Sequence, residues 1–230
     1  MKPVKNISVI IISLAFISLV SLNIDAQVDV GIGVTVRVAP PAIPVYVQPP
    51  CPVDGYIWTP GYWAYGTDDY YWVPGVWVRP PHFGYLWTPC YWGFNGGYYG
   101  FHPGYWGPHI GFYGGINYGF GYWGSGFYGG RWEGNVFRYN TAVVNVNKTV
   151  IHNTYIDRTV INNSKVSHAS FNGQGGAMAR PTSQEEIASR ENHMALTSEQ
   201  TSHEQFAGKD RNQSASVNKG RPTTLSLIHI

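Results

Sequence analysis

The strongest constraint on this chain is an aromatic motif that recurs four times at an almost fixed step. The pattern is Tyr-x-Trp-x-Pro-Gly-x-Trp, with Cys for Gly in the third copy and Phe for the first Trp in the fourth. The copies begin at Tyr56, Tyr70, Tyr85 and Tyr99, at steps of 14, 15 and 14 residues. Because internal repeats set the architecture of the segment that contains them, we expect four equivalent units.

Turn-forming residues arrive about every seven residues within the repeats, which leaves room only for short strands. The Pro-Gly steps alternate with turn-rich segments at residues 66–69, 80–84 and 95–97. Short aromatic runs bounded by such residues are typical of β-strands. We therefore predict an all-β fold, a meander of short aromatic hairpins that turn at Pro-Gly.

In such hairpins the two tryptophans of one copy face each other. Trp58 would lie opposite Trp63, and Trp72 opposite Trp77, at sites where aromatic cross-strand pairs are most stabilising. Proline fixes a negative φ, which disagrees with the primed turns of tight hairpins, so we expect type I or II turns within four-residue loops. The motif is best explained as a folding device.

This spacing resembles that of the bacterial YXWGXW (WXXGXW) repeat-containing proteins, which are exported and have no established biochemical activity. The chain departs from the pattern at Cys90, which argues against a required positive φ there, and at Phe101, which preserves an aromatic pair. The resemblance implies no catalytic residues. The residues that form the repeat motif are Trp58, Gly61, Trp63, Trp72, Gly75, Trp77, Trp87, Trp92, Phe101, Gly104 and Trp106.

The N-terminal segment has the order of a secretory signal peptide. Two lysines precede an apolar run at residues 7–22, and Ala26 offers a small residue before a cleavage point. A short membrane anchor is the alternative, but spanning a bilayer needs about 20 apolar residues and this run is shorter. We expect residues 1–26 to be removed, leaving no transmembrane helix. The mature chain would be periplasmic, outer-membrane-associated or extracellular.

Both cysteines, Cys51 and Cys90, lie in the part of the chain that would be exported. An even number of cysteines in an oxidising compartment predicts a disulfide, and closing a loop of about 40 residues would stabilise the fold by about 4 kcal/mol. Two free thiols are the alternative. The sequence favours the disulfide.

The remaining chain divides by composition. Residues 27–52 hold an alternating strand at 28–38 and a Pro-rich connector, and residues 53–107 form the repeat β-domain. Residues 108–135 are a Gly/aromatic-rich extension, and residues 136–172 an Asn/Thr/Val region with strands predicted at 148–153 and 158–163.

Residues 173–230 are polar, and we expect a mostly disordered tail with short helices. Capping boxes at residues 183–186 and 197–200 would open two of these helices. The apolar end, residues 225–230, is interpreted either as a short strand that adds to a sheet or as foreign sequence appended to the chain.

The composition narrows the function. Only 12% of the residues are charged and the net charge is +2, which argues against nucleic-acid binding. His102 and His109 lack further ligands nearby, so turn histidines are favoured over a metal site. Asp68 and Asp69 could form a glycosidase carboxylate pair, but Asp in a Gly-Thr-Asp-Asp segment is typical of a turn.

One repeat position offers a sharper possibility. Tyr62, Val76, Tyr91 and Tyr105 lie on the face opposite to the paired tryptophans, where the tyrosines could form platforms for sugar rings. The alternative, which we favour, is that both faces are buried in a core. We predict an exported structural or interaction protein with no catalytic activity and no cofactor. Its expected partners are envelope proteins or polysaccharide; a polysaccharide-binding module and an uncharacterised enzyme are the alternatives.

Overall fold

The computed structural model describes residues 33–163 and 169–229. The predicted signal peptide and the start of the alternating strand lie outside these residues. Within them, no helix combines the length and apolar character needed to cross a membrane.

The described chain consists mostly of short strands in several small sheets, which confirms the all-β prediction. The strands are β1 (Val34–Val36), β2 (Ile57–Thr59), β3 (Tyr62–Tyr65), β4 (Tyr70–Val73), β5 (Gly75–Val78), β6 (Leu86–Thr88), β7 (Tyr91–Asn95), β8 (Tyr98–His102), β9 (Tyr105–Gly107), β10 (Asn117–Gly119), β11 (Tyr122–Trp123), β12 (Gly130–Glu133), β13 (Val136–Asn140), β14 (Thr154–Tyr155), β15 (Phe171–Asn172) and β16 (Ser226–His229). The helices are α1 (Ser183–Ala188), α2 (Ser198–Lys209) and α3 (Ala215–Asn218), with 3-10 helices at Thr159–Asn163 and Arg211–Gln213.

The first two copies of the motif form one long hairpin. Strand β2 pairs antiparallel with β5, so that Trp58 faces Trp77, and β3 pairs antiparallel with β4, so that Trp63 faces Trp72. The spacing between the two tryptophans is the same in both arms, so the two pairings share one register. We call residues 57–78 the first bent hairpin, because its ladder divides into two small sheets where the Pro-Gly steps of the two arms face each other.

The third and fourth copies repeat this arrangement as the second bent hairpin, residues 86–107. Strand β6 pairs with β9, which places Trp87 opposite Trp106, and β7 pairs with β8, which places Trp92 opposite Phe101. Its tip lies between Asn95 and Tyr98. Strands β1 and β15 add to the outer edges of β8 and β7 and complete a four-stranded sheet.

The prediction that each Pro-Gly step is a hairpin turn was wrong. Trp58 does not pair with Trp63, because the chain turns instead at residues 66–69. There the Gly66 amide donates to the Asp69 carbonyl at 2.9 Å, and the Asp69 carboxylate accepts the Tyr70 amide at 2.8 Å. Proline is poorly suited to a tight hairpin turn, whereas Gly and Asp form one readily.

The core lies where the two bent hairpins meet the connector and the Gly/aromatic extension. Tyr46 of the connector contacts the rings of Trp58 and Trp72, and its hydroxyl accepts the Gly61 amide at 3.1 Å. The extension contributes further buried rings and a loop-rich path with many glycines at positive φ. Its buried side chains include Tyr113, Ile116, Tyr118 and Tyr122.

The Asn/Thr/Val region differs from its prediction. Residues 148–153 contain a turn and no strand, and the second copy forms the 3-10 helix Thr159–Asn163. The short strand β14 between them pairs parallel with β13. Asn side chains that bond to nearby backbone, such as Asn147 to Thr149, favour turns over extended structure.

The C-terminal region contains the predicted short helices but is ordered against the hairpins, so the expected disorder was wrong. The second capping box, Thr197 with Gln200, is present as predicted, and the first is formed by Thr182 with Glu185 instead of starting at Ser183. The tail adopts a fixed path because its polar groups bond to the core: Gln200 accepts the indole N–H of Trp106 at 2.7 Å. Strand β16 pairs parallel with β5.

Candidate functional site

The Pro-Gly step is a site of close approach between the two arms of each bent hairpin. A Cβ on Gly75 would lie 2.6 Å from Cζ2 of Trp58 and 2.8 Å from the Gly61 nitrogen. Gly61 stands in the same relation to Trp72, and Gly104 to Trp87. The glycines at 61, 75 and 104 do not have positive φ. The motif therefore requires glycine for space and not for a left-handed backbone.

The two departures from the motif fall on one such contact position. Trp92 is the residue directly opposite Phe101, and Cys90 has the same diagonal relation to Phe101 that Gly61 has to Trp72 and Gly104 to Trp87, where the other copies bring Gly and Trp together. The phenyl ring of Phe101, which is smaller than indole, thus occurs together with Cys90, which is larger than glycine. The sequence shows both departures, but their relation emerges only from the pairing of the two arms.

The predicted disulfide does not form, since Cys51 and Cys90 are separate buried thiols. Cys90 lies inside the second bent hairpin, whereas Cys51 pairs through its backbone with Val146 and its thiol donates to the Val53 carbonyl at 3.2 Å. Burial raises the pKa of the Cys51 thiol to about 12, and that of Cys90 well above its ordinary value. A disulfide requires Cα atoms within about 7 Å of each other, and the two cysteines are instead free.

The predicted tyrosine platform is covered. Val76 and Tyr105 are buried, and Tyr105 stacks on His193 with ring centroids 3.9 Å apart. Tyr91 is half-buried and stacks on His102 at 4.3 Å. Tyr62, also half-buried, is covered by α2. Side chains at this repeat position therefore pack against other residues of the protein, in agreement with the favoured alternative that both faces are covered.

The remaining candidate residues have structural partners. The His109 ring forms a hydrogen bond with the Glu191 carboxylate at 2.8 Å and His102 stacks on Tyr91, so the two histidines do not converge. In residues 33–163 and 169–229, no three His, Cys, Asp or Glu side chains are grouped as a metal site would need. The Asp69 carboxylate accepts hydrogen bonds from Ser214 and Ser216, which fixes its turn to the tail.

The helix α2 holds a half-buried carboxyl group, that of Glu204, against the first bent hairpin. The Tyr71 hydroxyl donates to Glu204 at 3.5 Å, and burial raises the pKa of the Glu204 carboxyl despite this bond and a second one from Tyr62. The adjacent His203 bonds to the Pro74 carbonyl at 2.8 Å, and burial lowers its pKa. These hydrogen bonds fasten the tail to the first bent hairpin.

A groove of about 530 Å³ opens on the surface of the described part of the chain. It lies between three loops: the entry to the first bent hairpin, the linker between the two hairpins, and the turn from β12 to β13. We call it the linker groove. Its lining residues are Asp54, Gly55, Arg79, Pro80, Pro81, His82, Phe83, Trp132, Asn135, Val136 and Phe137.

Sequence reasoning did not find this groove. The Pro-Pro-His-Phe-Gly linker was interpreted only as a turn, and Trp132 lies outside the repeats. The clue in the sequence is that Trp132, like Trp123, lies outside the four copies of the motif. Nothing local in the sequence predicts that Trp132 and Phe83 meet.

Comparisons with known proteins support the resemblance seen in the sequence. Residues 54–78 match the WXXGXW repeat, in two copies. The matched segment includes the whole of the first bent hairpin, so the two copies of the repeat together make one folded unit. The chain thus carries the WXXGXW repeat. Neither a curated protein nor a solved structure matches it.

Proposed function

We propose that this protein is an exported structural or interaction protein of the bacterial envelope or extracellular space, without catalytic activity. The observation that carries this proposal is the use of the repeat motif: its tryptophans are buried in pairs and its glycines allow the arms to approach. A repeat whose residues all serve to pack the core indicates a structural scaffold. The signal-like N-terminus supports export.

The surface supports an interaction role. Large apolar side chains are exposed around the linker groove, including Phe83, Val136 and Val53. Rigid hairpins that present exposed loops are a common basis for recognition. The partners we propose are other envelope proteins or polysaccharide.

Export is tested by the mature N-terminus. Cells expressing the full chain with a C-terminal affinity tag are separated into cytoplasm, periplasm, membranes and medium, and the tagged protein is analysed by mass spectrometry. We expect a chain that begins at Gln27 outside the cytoplasm. An uncleaved chain confined to the cytoplasm would contradict the proposal.

The structural role is tested by dose. Expression is titrated in cells that lack the gene, and the resistance of the envelope to detergent is measured. A structural protein acts in proportion to its amount, so detergent resistance should fall steadily as expression of the protein is lowered. An enzyme turns over, and resistance that stays complete at a small fraction of the normal amount would favour catalysis instead.

A further inference from the structure

We propose that the linker groove binds a carboxylate-bearing polysaccharide, with Phe83 and Trp132 contacting a sugar face and Arg79 binding the carboxylate. This site is distinct from the tyrosine positions considered from the sequence. The proposal depends on the proposed export only in that an exported protein would encounter such a glycan. Binding by purified protein is measured independently of that location.

The two aromatic rings form a corner inside the groove. Phe83 and Trp132 meet edge-to-face, with ring centroids 5.9 Å apart and planes at 89°. Phe83 is 71% exposed, which is costly for so large an apolar side chain unless something covers it. A pyranose ring has an apolar C–H face that would cover an aromatic ring and remove both surfaces from water.

Trp132 is held in place by the protein. Its indole N–H donates to the Tyr85 carbonyl at 2.9 Å, and its ring packs against the buried Phe137 at 5.3 Å. The corner is therefore formed before any ligand arrives. Preorganised side chains lose less conformational entropy on binding, which favours recognition of a flexible glycan.

The charges along the groove favour an acidic sugar. Among the described residues, Arg79 forms no ion pair or side-chain hydrogen bond, and it lines the groove. Asp54, the acidic lining residue, already accepts a hydrogen bond from Asn153 at 2.8 Å. A guanidinium without a partner can bind a carboxylate through two parallel N–H donors. Asn135 and His82 line the same groove and offer polar atoms to hydroxyl groups.

The size of the groove agrees with a glycan segment. Its volume of about 530 Å³ falls within the roughly 300–1,000 Å³ range typical of small-ligand sites. Apolar rings with a few convergent polar groups are the usual composition of such sites. A uronic acid unit combines a stacking face, hydroxyl groups and a carboxylate, and so matches all three features.

Binding is tested with the purified mature chain by isothermal titration calorimetry and tryptophan fluorescence. The probes are a mannuronate hexasaccharide, a neutral glucose hexasaccharide and a hexaglutamate peptide. We expect the uronate to bind about tenfold more tightly than either of the others, with affinity falling as salt is raised. Equal binding of hexaglutamate would indicate a general anion or protein surface and would overturn the proposal, as would no binding of the uronate.

Matched variants locate the site. Phe83→Ala should weaken uronate binding about tenfold, whereas Phe206→Ala removes a ring of the same 71% exposure on α2 and should have little effect. Arg79→Gln should weaken binding of the uronate but not of the neutral sugar, and Arg190→Gln is its exposed control. Near-ultraviolet circular dichroism verifies folding. Equal losses in the control variants would place binding elsewhere and refute the assignment.

Discussion

Gly61 lies against the indole ring of Trp72, its neighbour across the bend of the first hairpin. A Cβ at this position would collide with the ring and approach the backbone nitrogen of Gly75 to 2.9 Å. Gly75 has the reciprocal relation to Trp58. Each copy of the motif thus supplies the glycine that receives the tryptophan of the other copy.

We expect Gly61→Ala to destabilise the fold by about 1–3 kcal/mol or more, because neither the ring nor the facing backbone can move away freely. The control is Gly66→Ala in the hairpin turn, where the nearest atom would be 3.7 Å from the new Cβ. That change should cost less than about 1 kcal/mol. Urea denaturation measures both, and equal losses would contradict the close approach.

Cys90 and Phe101 are expected to be coupled. Phe101→Trp alone should overpack the second bent hairpin and destabilise it by about 1–3 kcal/mol. The double variant Cys90→Gly with Phe101→Trp restores the motif of the other copies and should recover much of that loss. A double-mutant cycle in urea measures the coupling, for which we expect about 0.5–3 kcal/mol. Strictly additive effects would show that the two departures are unrelated.

The pairing of the repeats is tested with conservative Trp→Phe changes. Trp58 and Trp77 have ring centroids 5.3 Å apart, so a cycle on this pair should show coupling of about 0.5–1.5 kcal/mol. A cycle on Trp58 and Trp63, which belong to one copy, should be additive within about 0.5 kcal/mol. Coupling between Trp58 and Trp63, with additive effects for Trp58 and Trp77, would instead support a hairpin that turns at Pro-Gly.

The sequence is sufficient to predict the repeat, the β-structure and the burial of the tryptophans, but not the pairing. Trp58 and Trp63 flank the Pro-Gly step symmetrically, so local pairing satisfies the same pattern as pairing with the next copy. The turn residues at 66–69 were visible, and the mismatch between proline and a primed turn pointed away from Pro-Gly. Deciding between the two required the close contact at Gly61, which depends on tertiary structure.

The linker groove could not be predicted because its parts are distant in sequence. Phe83 belongs to the linker between the bent hairpins, and Trp132 to β12. Their contact depends on how the extension folds back over the hairpins. The order of the tail was not predicted for a similar reason. Its helices are polar, and they are held by individual hydrogen bonds to distant residues, such as the bond from the Trp106 indole to Gln200.

Reducing agent should not change stability. Because Cys51 and Cys90 are separate and buried, dithiothreitol is expected to leave the urea midpoint unchanged, and a thiol reagent should label the native protein slowly. Both thiols should react at once in denaturant. An intact mass two hydrogens lower than that of the reduced chain would reveal a disulfide and contradict this prediction.

The docking of α2 should depend on pH through Glu204. Its pKa is raised by burial, so its contribution to stability is fully present below the unfolded pKa of about 4.3 and is lost as pH rises through the folded pKa. Glu204→Gln should therefore increase the free energy of unfolding at pH 7.5 and have little effect at pH 4.

The control for this prediction is Glu199→Gln on the same helix. Glu199 is exposed, and its pKa is lowered by the backbone amide at the helix start and by hydrogen bonds from Thr197 and Ser198, so its removal should decrease stability at pH 7.5. His203 acts separately: burial lowers its pKa, so its contribution is lost as pH falls below about 6.5. Urea denaturation at each pH measures these effects, and equal shifts in both glutamine variants would refute the assignment.

The shared register across each bend also governs how a chain of this kind can lengthen. A single added copy of the motif would bring a tryptophan without a receiving glycine and a glycine without a ring to cover it. Growth by whole pairs leaves no such mismatch, so even copy numbers are favoured. One residue inserted in a single arm would likewise shift one tryptophan of that unit out of register with its partner.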